Sequence, residues 1–213
     1  MEVSGWGGVF CHAYNPAMIP QTLSGPTIAR VDLPRAYRLL NPGPTVLVSS
    51  AHGERRNVMA AAWAMPLDFD PPKVLVVIDK STLTRELVEA SGEFALNIPC
   101  RAQAALTLAV GTRGGRDGDK FAALGIATRS ADRIAAPLVA GCLGWLECRV
   151  IAEPRNQHAY DLFIGEVVAA SADPAAFADG RWKDGPPARR SLHYVAGGTF
   201  FAAGDLFEVE PAP

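Results

Sequence analysis

The hydrophobic and polar positions of this chain fall into many short strand-like blocks with a few helical blocks between them. The strongest block is Lys73 to Asp79, a run rich in β-branched residues bounded by Pro71-Pro72 and by the polar turn Lys80-Ser81-Thr82. Ahead of it, Asn57 to Trp63 reads as a strand of small residues with one large aromatic. Thr45 to Ser50 is another strand, and the turn His52-Gly53-Glu54 pairs it with Asn57 to Trp63 as a hairpin. A helix follows the polar turn from about Thr82 to Ala90, with Leu83, Leu87 and Ala90 on one face and Gly92 closing it. Glu93 to Ile98 returns as a strand.

Outside that segment the pattern is weaker. Pro34 to Leu40 reads as a short helix that Asn41-Pro42-Gly43-Pro44 ends. Arg101 to Ala109 is helical, Thr112 to Asp119 is a loop rich in glycine and charge, and a short helix follows around Lys120 to Leu124. Gly144 to Ala152 and Tyr160 to Ala170 are later strands, Asp173 to Arg190 is a loop, and Ser191 to Val195 is a last short strand before Phe200-Phe201. Residues 1 to about 30 lack periodicity, which predicts a tail or an arm over a dimer partner; residues 31–210 form the main domain. Many strands with a few inserted helices disfavour a doubly wound parallel sheet. They predict a mainly β fold with peripheral helices, an antiparallel barrel closed wholly or in part.

Composition narrows the classes of function. A net charge of −2 gives no field favouring nucleic acid or an anionic membrane. No apolar run is long enough for a membrane span, and no secretory signal opens the chain, so a cytoplasmic protein is expected. Cys11, Cys100, Cys142 and Cys148 form no CxxC pair and match no zinc spacing, so they read as reduced structural thiols. His12, His52 and His193 offer no ligand spacing either, and no metal is expected.

Neither a GxGxxG fingerprint nor a GxxxxGK[ST] loop is present, so any nucleotide must be held by another device. Lys80, Ser81 and Thr82 offer one: an ammonium, two hydroxyls and the free N–H groups of a helix start suit a phosphate, and would equally make an ordinary capped helix. The strand Asn57, Val58, Met59, Ala60, Ala61, Ala62, Trp63 is poor in bulk, so a flat ring can approach its backbone; the alternative is a crowded core with Trp63 inside it. Asn97 either bonds a ligand or caps a turn.

The order of several motifs resembles the flavin reductase-like family, the FMN-binding split barrels that include flavoredoxin-type proteins. They are Asn57 to Trp63, Asp70-Pro71-Pro72, Lys80-Ser81-Thr82 with Thr84, Gly92 to Asn97, Asp119-Lys120-Phe121, Leu146-Glu147-Cys148 and Ile164-Gly165-Glu166-Val167. The resemblance spans roughly residues 38–205. It implies a split β-barrel of Greek-key-like antiparallel strands that binds FMN, with FAD as the alternative. It also implies hydride transfer from NAD(P)H to the flavin, a homodimer around the cofactor, and a monooxygenase or other acceptor of the reduced flavin. It places Lys120 as a second cation near the cofactor, although a helix lysine is also at home in solvent. Many relatives carry a His near the start of the strand that holds Ile164 to Val167. Here Tyr160 stands in its place and His158 precedes it, so these two are the nicotinamide-pocket candidates. A flavin- or haem-binding module for electron transfer or sensing is the non-enzymatic alternative.

Overall fold

The computed structural model describes residues 28–40 and 43–210. Of the tail expected at residues 1 to about 30, residues 1–27, with Cys11, lie outside the described residues, as does the Asn41-Pro42 step, while Ala29–Arg30 form a short strand. The strands are β1 (Ala29–Arg30), β2 (Val46–His52), β3 (Arg55–Ala61), β4 (Ala64–Phe69), β5 (Pro72–Val77), β6 (Glu93–Ile98), β7 (Thr128–Arg129), β8 (Leu138–Val139), β9 (Gly144–Ile151), β10 (Leu162–Ala172), β11 (Phe177–Ala178), β12 (Arg181–Trp182), β13 (Leu192–Ala196) and β14 (Thr199–Ala202). The α-helices are α1 (Leu33–Ala36), α2 (Leu83–Ser91), α3 (Ala104–Thr112), α4 (Lys120–Ala123) and α5 (Pro154–Tyr160).

The main sheet runs β3-β2-β6-β9-β10-β5-β4, antiparallel throughout, with β1 on the far end of β10. Its two edge strands, β3 and β4, are joined by Ala62 and Trp63 alone. An extended residue spans at most about 3.6 Å, so the sheet must curl until its edges nearly meet. Yet no ladder joins β3 to β4. The expected split, Greek-key-like antiparallel barrel is this curled sheet with an unsealed seam.

Burial follows from the curl. Val46, Val48, Phe94, Leu96, Ile98, Leu146, Cys148 and Phe163 point into the barrel and form one core. Their neighbours Leu47, Ala95 and Trp145 point outward into a second core, under α3, α4 and the β7–β8 ribbon. Strands β2, β6 and β9 are thus covered on both faces, and they read as nearly continuous apolar runs for that reason. Gly165 fits the inner core because a Cβ there would lie 2.5 Å from the Phe94 ring.

Polar residues on the outer face pin the long excursion between β6 and β9. Asn97 donates from Nδ2 to Leu47 O (2.8 Å) and Ser49 Oγ (3.0 Å), and its Oδ1 accepts from Val139 N–H at 2.7 Å. Ser49 Oγ donates to Pro137 O, and the Glu147 carboxylate accepts from the Asp132 and Arg133 amides. Burial pushes the thiols of Cys142 and Cys148 upward, so both stay protonated core groups.

Three differences from the sequence expectations have physical causes. The segment after Trp63 is a full strand, β4, which its Pro66, Asp68 and exposed apolar residues disguise. The approach to β10 is a helix, α5, opened by Pro154 and closed by Asp161 in the left-handed region at φ 55°. In α2, Ala90 is exposed while Arg85 is buried, because Arg85 has partners on other elements. Among the described residues no helix is long and apolar enough to cross a membrane.

Replacing Asn97 by Ala removes three buried hydrogen bonds and leaves the Val139 N–H without an acceptor. We expect a loss of about 2–4 kcal/mol of stability and faster amide exchange at Val139, with the rest of the sheet still protected; urea unfolding and hydrogen exchange measure both.

Candidate functional site

A cleft of about 660 Å³ opens at the seam. Its floor is the end of β3 with the link to β4, from Met59 to Trp63. Thr107, Leu108 and Gly111 of α3 form one wall, Val77, Asp79, Tyr160 and Asp161 another, and Tyr194, Val195 and Phe200 of the β13–β14 hairpin a third. Trp63 is 73% exposed. The core-aromatic reading of Trp63 is therefore corrected: the seam leaves no core on that side for its ring to enter. Gly111 lets α3 lie close to the floor, since a Cβ there would stand 3.3 Å from that of Ala60.

The floor has unused backbone groups. Strand β3 pairs with β2 on one edge only. Alternate residues of a strand direct their N–H and C=O to opposite edges. Val58 O accepts from Lys120 Nζ at 3.0 Å, so it faces the free edge. The N–H and C=O of Ala60, two residues on, face that same edge beside the cleft. The Val58 side chain is fully buried in the outer core and contributes only this backbone.

The polar turn sits just beyond Asp79. The Asp79 carboxylate accepts from Ser81 N–H (2.8 Å) and Ser81 Oγ–H (2.6 Å), which hold it below the usual carboxylate range. Thr82 Oγ1 donates to Asp79 O and accepts from Arg85 N–H at 3.2 Å, capping α2, while Gly92 ends that helix at φ 69°. Lys80 is exposed. On the other side of Leu83 lies a second cleft of about 400 Å³ with Arg55, Arg56 and Arg116 in its lining. Arg55 and Arg116 both pair with Glu86, and Arg56 with Asp119.

Arg85 locks the two halves of one wall together. Its guanidinium donates to Ile78 O (3.2 Å), Gln157 O (2.8 Å), Asp161 Oδ1 (2.8 Å) and Glu89 Oε1 (2.6 Å), and lies 4.7 Å from the Phe163 ring centroid. One side chain thus fixes the end of β5, just before the polar turn, against the end of α5.

The other sequence candidates separate here. Tyr160 lines the cleft, whereas His158 is an exposed residue of α5 outside it. Asn97 is corrected to a structural bridge: its amide is wholly engaged inside the protein, so nothing is left for a ligand. Asn57 is 2% exposed and donates from Nδ2 to Thr84 Oγ1 at 2.9 Å, but its Oδ1 has no partner. Gly115 presses on that amide, since a Cβ there would fall 2.5 Å from Nδ2. Lys120 is not a solvated lysine; it is 3% exposed and donates to Val58 O and Val110 O. The hairpin wall and the α3 wall escaped sequence reasoning, because the residues concerned meet the floor only through the fold.

The Flavin reductase like domain profile matches residues 37–195. The chain belongs to the flavin reductase-like family. A crystal structure of an FMN-binding domain of flavin reductases-like enzyme from Shewanella baltica OS155 is 48% identical, with a TM-score of 0.85, covering 87% of this chain and 99% of that one. Flavoredoxin of Desulfovibrio vulgaris (Miyazaki F) is 26% identical, with a TM-score of 0.69, covering 89% and 96% of the two chains. Escherichia coli YddH, an uncharacterized protein, is 46% identical over 177 residues, 82% of this chain and 94% of its own length. The family's segment takes in the cleft floor, the polar turn, α3 and α5, and stops at Val195 inside the hairpin wall.

Arg85→Met should cost about 2–4 kcal/mol, because Asp161 and two carbonyls lose their partner together. Chemical denaturation gives that value, and faster proteolytic cleavage near Arg155 should report that α5 has come loose from α2.

Proposed function

We propose that the protein is an FMN-dependent oxidoreductase of the flavin reductase type that takes hydride from NAD(P)H. The observation that carries this reading is the cleft floor: Ala60 and Ala61 at the end of an edge strand and Ala62 in the link after it, with the backbone groups of Ala60 free and aromatic side chains around the rim. When bound, the flavin supplies a two-electron carrier. The residues fit such a group. Ala60 to Ala62 let a flat ring approach the strand, and the Ala60 N–H and C=O offer a donor and an acceptor to a ring edge.

The chain's own work in the reaction is positioning. Met59 to Trp63 would hold the ring, Tyr160 with the hairpin rings Tyr194 and Phe200 would shelter the space beyond it from water, and Tyr160 would border a nicotinamide. No side-chain acid or base is required for direct hydride transfer. The phosphate is assigned to Lys80, Ser81, Thr82 and the start of α2, where the hydroxyls would turn from Asp79 toward the anion.

Absorbance of the purified protein and mass identification of the released cofactor test FMN against FAD. Anaerobic mixing with NADH and with NADPH should bleach the flavin band with at least one of them; no bleaching with either would leave an electron-transfer module. Ser81→Ala combined with Thr82→Ala should weaken FMN about tenfold to a hundredfold and leave riboflavin, which lacks the phosphate, unchanged. Unchanged FMN affinity in that variant would move the phosphate to the arginine-lined cleft beside Leu83.

We further propose a homodimer with the sites at or near its interface. Trp63 of the link and Met65, Leu67 and Phe69 of β4 stand outward in a row, at 73%, 52%, 46% and 65% exposure. An edge strand with such an apolar row requires a cover. Light scattering should give twice the chain mass, and Leu67→Glu should shift it toward the monomer; a monomeric wild type carrying FMN would refute the proposal.

A further inference from the structure

Lys120 is a buried cation that the positioning scheme above leaves without a task. It is held at two points on elements that bound the cleft, β3 and α3. Nζ donates to Val58 O (3.0 Å), on the free edge of β3, and to Val110 O (2.8 Å), among the last carbonyls of α3, which have no partner within the helix. Both acceptors carry partial negative charge, and the end of a helix favours a cation. Asp119 Oδ1 accepts from Phe121 N–H at 2.8 Å and so caps the short helix that aims Lys120 inward. Lys120 is absent from the cleft lining, so it makes no direct contact there. Its charge nonetheless sits on the edge of β3 that Ala60 shares, two residues away, or roughly 7 Å at the rise of a strand.

We propose that Lys120 tunes the flavin's reduction potential from behind the strand, by stabilising the negative charge the ring gains on reduction. The inference rests on the FMN reading. One hydride from NAD(P)H, which leaves as NAD(P)+, brings two electrons and one proton to the ring; the oxidised ring is neutral, so the reduced one carries one net negative charge. A unit charge acting through partly buried protein at roughly 7–10 Å changes such an equilibrium by about tenfold or more. Lys120 therefore favours reduced over oxidised FMN.

Asp79 and Asp161 bring carboxylates to the cleft lining, and Lys120 is a buried cation behind its floor. Arg56 is paired with Asp119, and Arg116 with Glu86. Arg113 repels Lys120 and Asp117 attracts it, while α3 carries no charged side chain. Burial pushes the Lys120 ammonium down to about 8, with Arg113 adding to the shift and Asp117 opposing it. The charge is present below that pH and lost above it, so the effect on the flavin should fade as pH rises through about 8.

The test is potentiometry of the FMN-loaded protein with free FMN in the same buffers as reference. Lys120→Met keeps a long apolar side chain and removes the charge; it should weaken reduced FMN relative to oxidised FMN about tenfold, a fall of about 30 mV for a two-electron couple. Lys120→Arg should stay near the wild type. In the wild type alone, the gap between bound and free FMN should shift toward lower potential from pH 7 to pH 9, a readout that survives if the methionine variant fails to fold. Equal potentials for wild type and Lys120→Met, or a wild-type gap that ignores pH, would overturn the inference while leaving the flavin reading intact. A protein that takes up no FMN would overturn both.

Discussion

Two residues, Ala62 and Trp63, carry the chain from one edge of the main sheet to the other, and the rest of the molecule is arranged around that constraint. A link so short forces the sheet to curl. The curl creates the inner core, and it brings β3 and β4 side by side without pairing them. An unpaired edge is ordinarily a hazard. Here it is covered on the β3 side by α3 and Lys120, and on the cleft side it leaves backbone donors and acceptors available. The apolar row of β4 lies just beyond the same link. Cleft and apolar row thus have a common origin in the unsealed seam.

Two sets of polar contacts keep that arrangement from relaxing. On the outer face, Ser49, Asn97 and Glu147 fasten the long excursion that roofs the second core. At the other end, Arg85 gathers β5, α2, α5 and the start of β10 around one guanidinium. Both lie within burial deep enough that an unpaired group would cost more than its bond contributes. Their role is to fix register and angle, and only secondarily to add stability.

Much of this was legible in the sequence, for local reasons. The Pro-bounded run at Lys73 to Asp79, the hairpin turn at Gly53 and the Thr82-to-Gly92 helix obey short-range rules of periodicity and capping, and each appears with ends shifted by a few residues. The small-residue strand was readable as a floor for a flat ring because bulk is a property of single residues. Strand β4 was missed since its outward residues are apolar and its inward ones include a proline and an aspartate, the reverse of a half-buried strand. Helix α5 was hidden because it is held by Arg85 rather than by an apolar face of its own. Lys120 and Asn97 show the deeper limit. A lysine after aspartate and an asparagine at a strand end look alike whether they meet solvent, cofactor or protein; their partners at Val110 and Val139 are set by tertiary packing alone.

The β13–β14 hairpin stands apart from the main sheet as its own two-stranded ribbon, turned at Gly197-Gly198 and tied back chiefly through Thr45 and the Cys100–Ser191 bridge. Its rings pack on one another, His193 on Phe201 and Tyr194 on Phe200, so its shape owes little to the barrel. A wall built this way is modular. Its residues can drift, lengthen or be exchanged in evolution without disturbing the floor that the edge strand provides, so descendants of one barrel can diversify in what they admit while keeping what they hold.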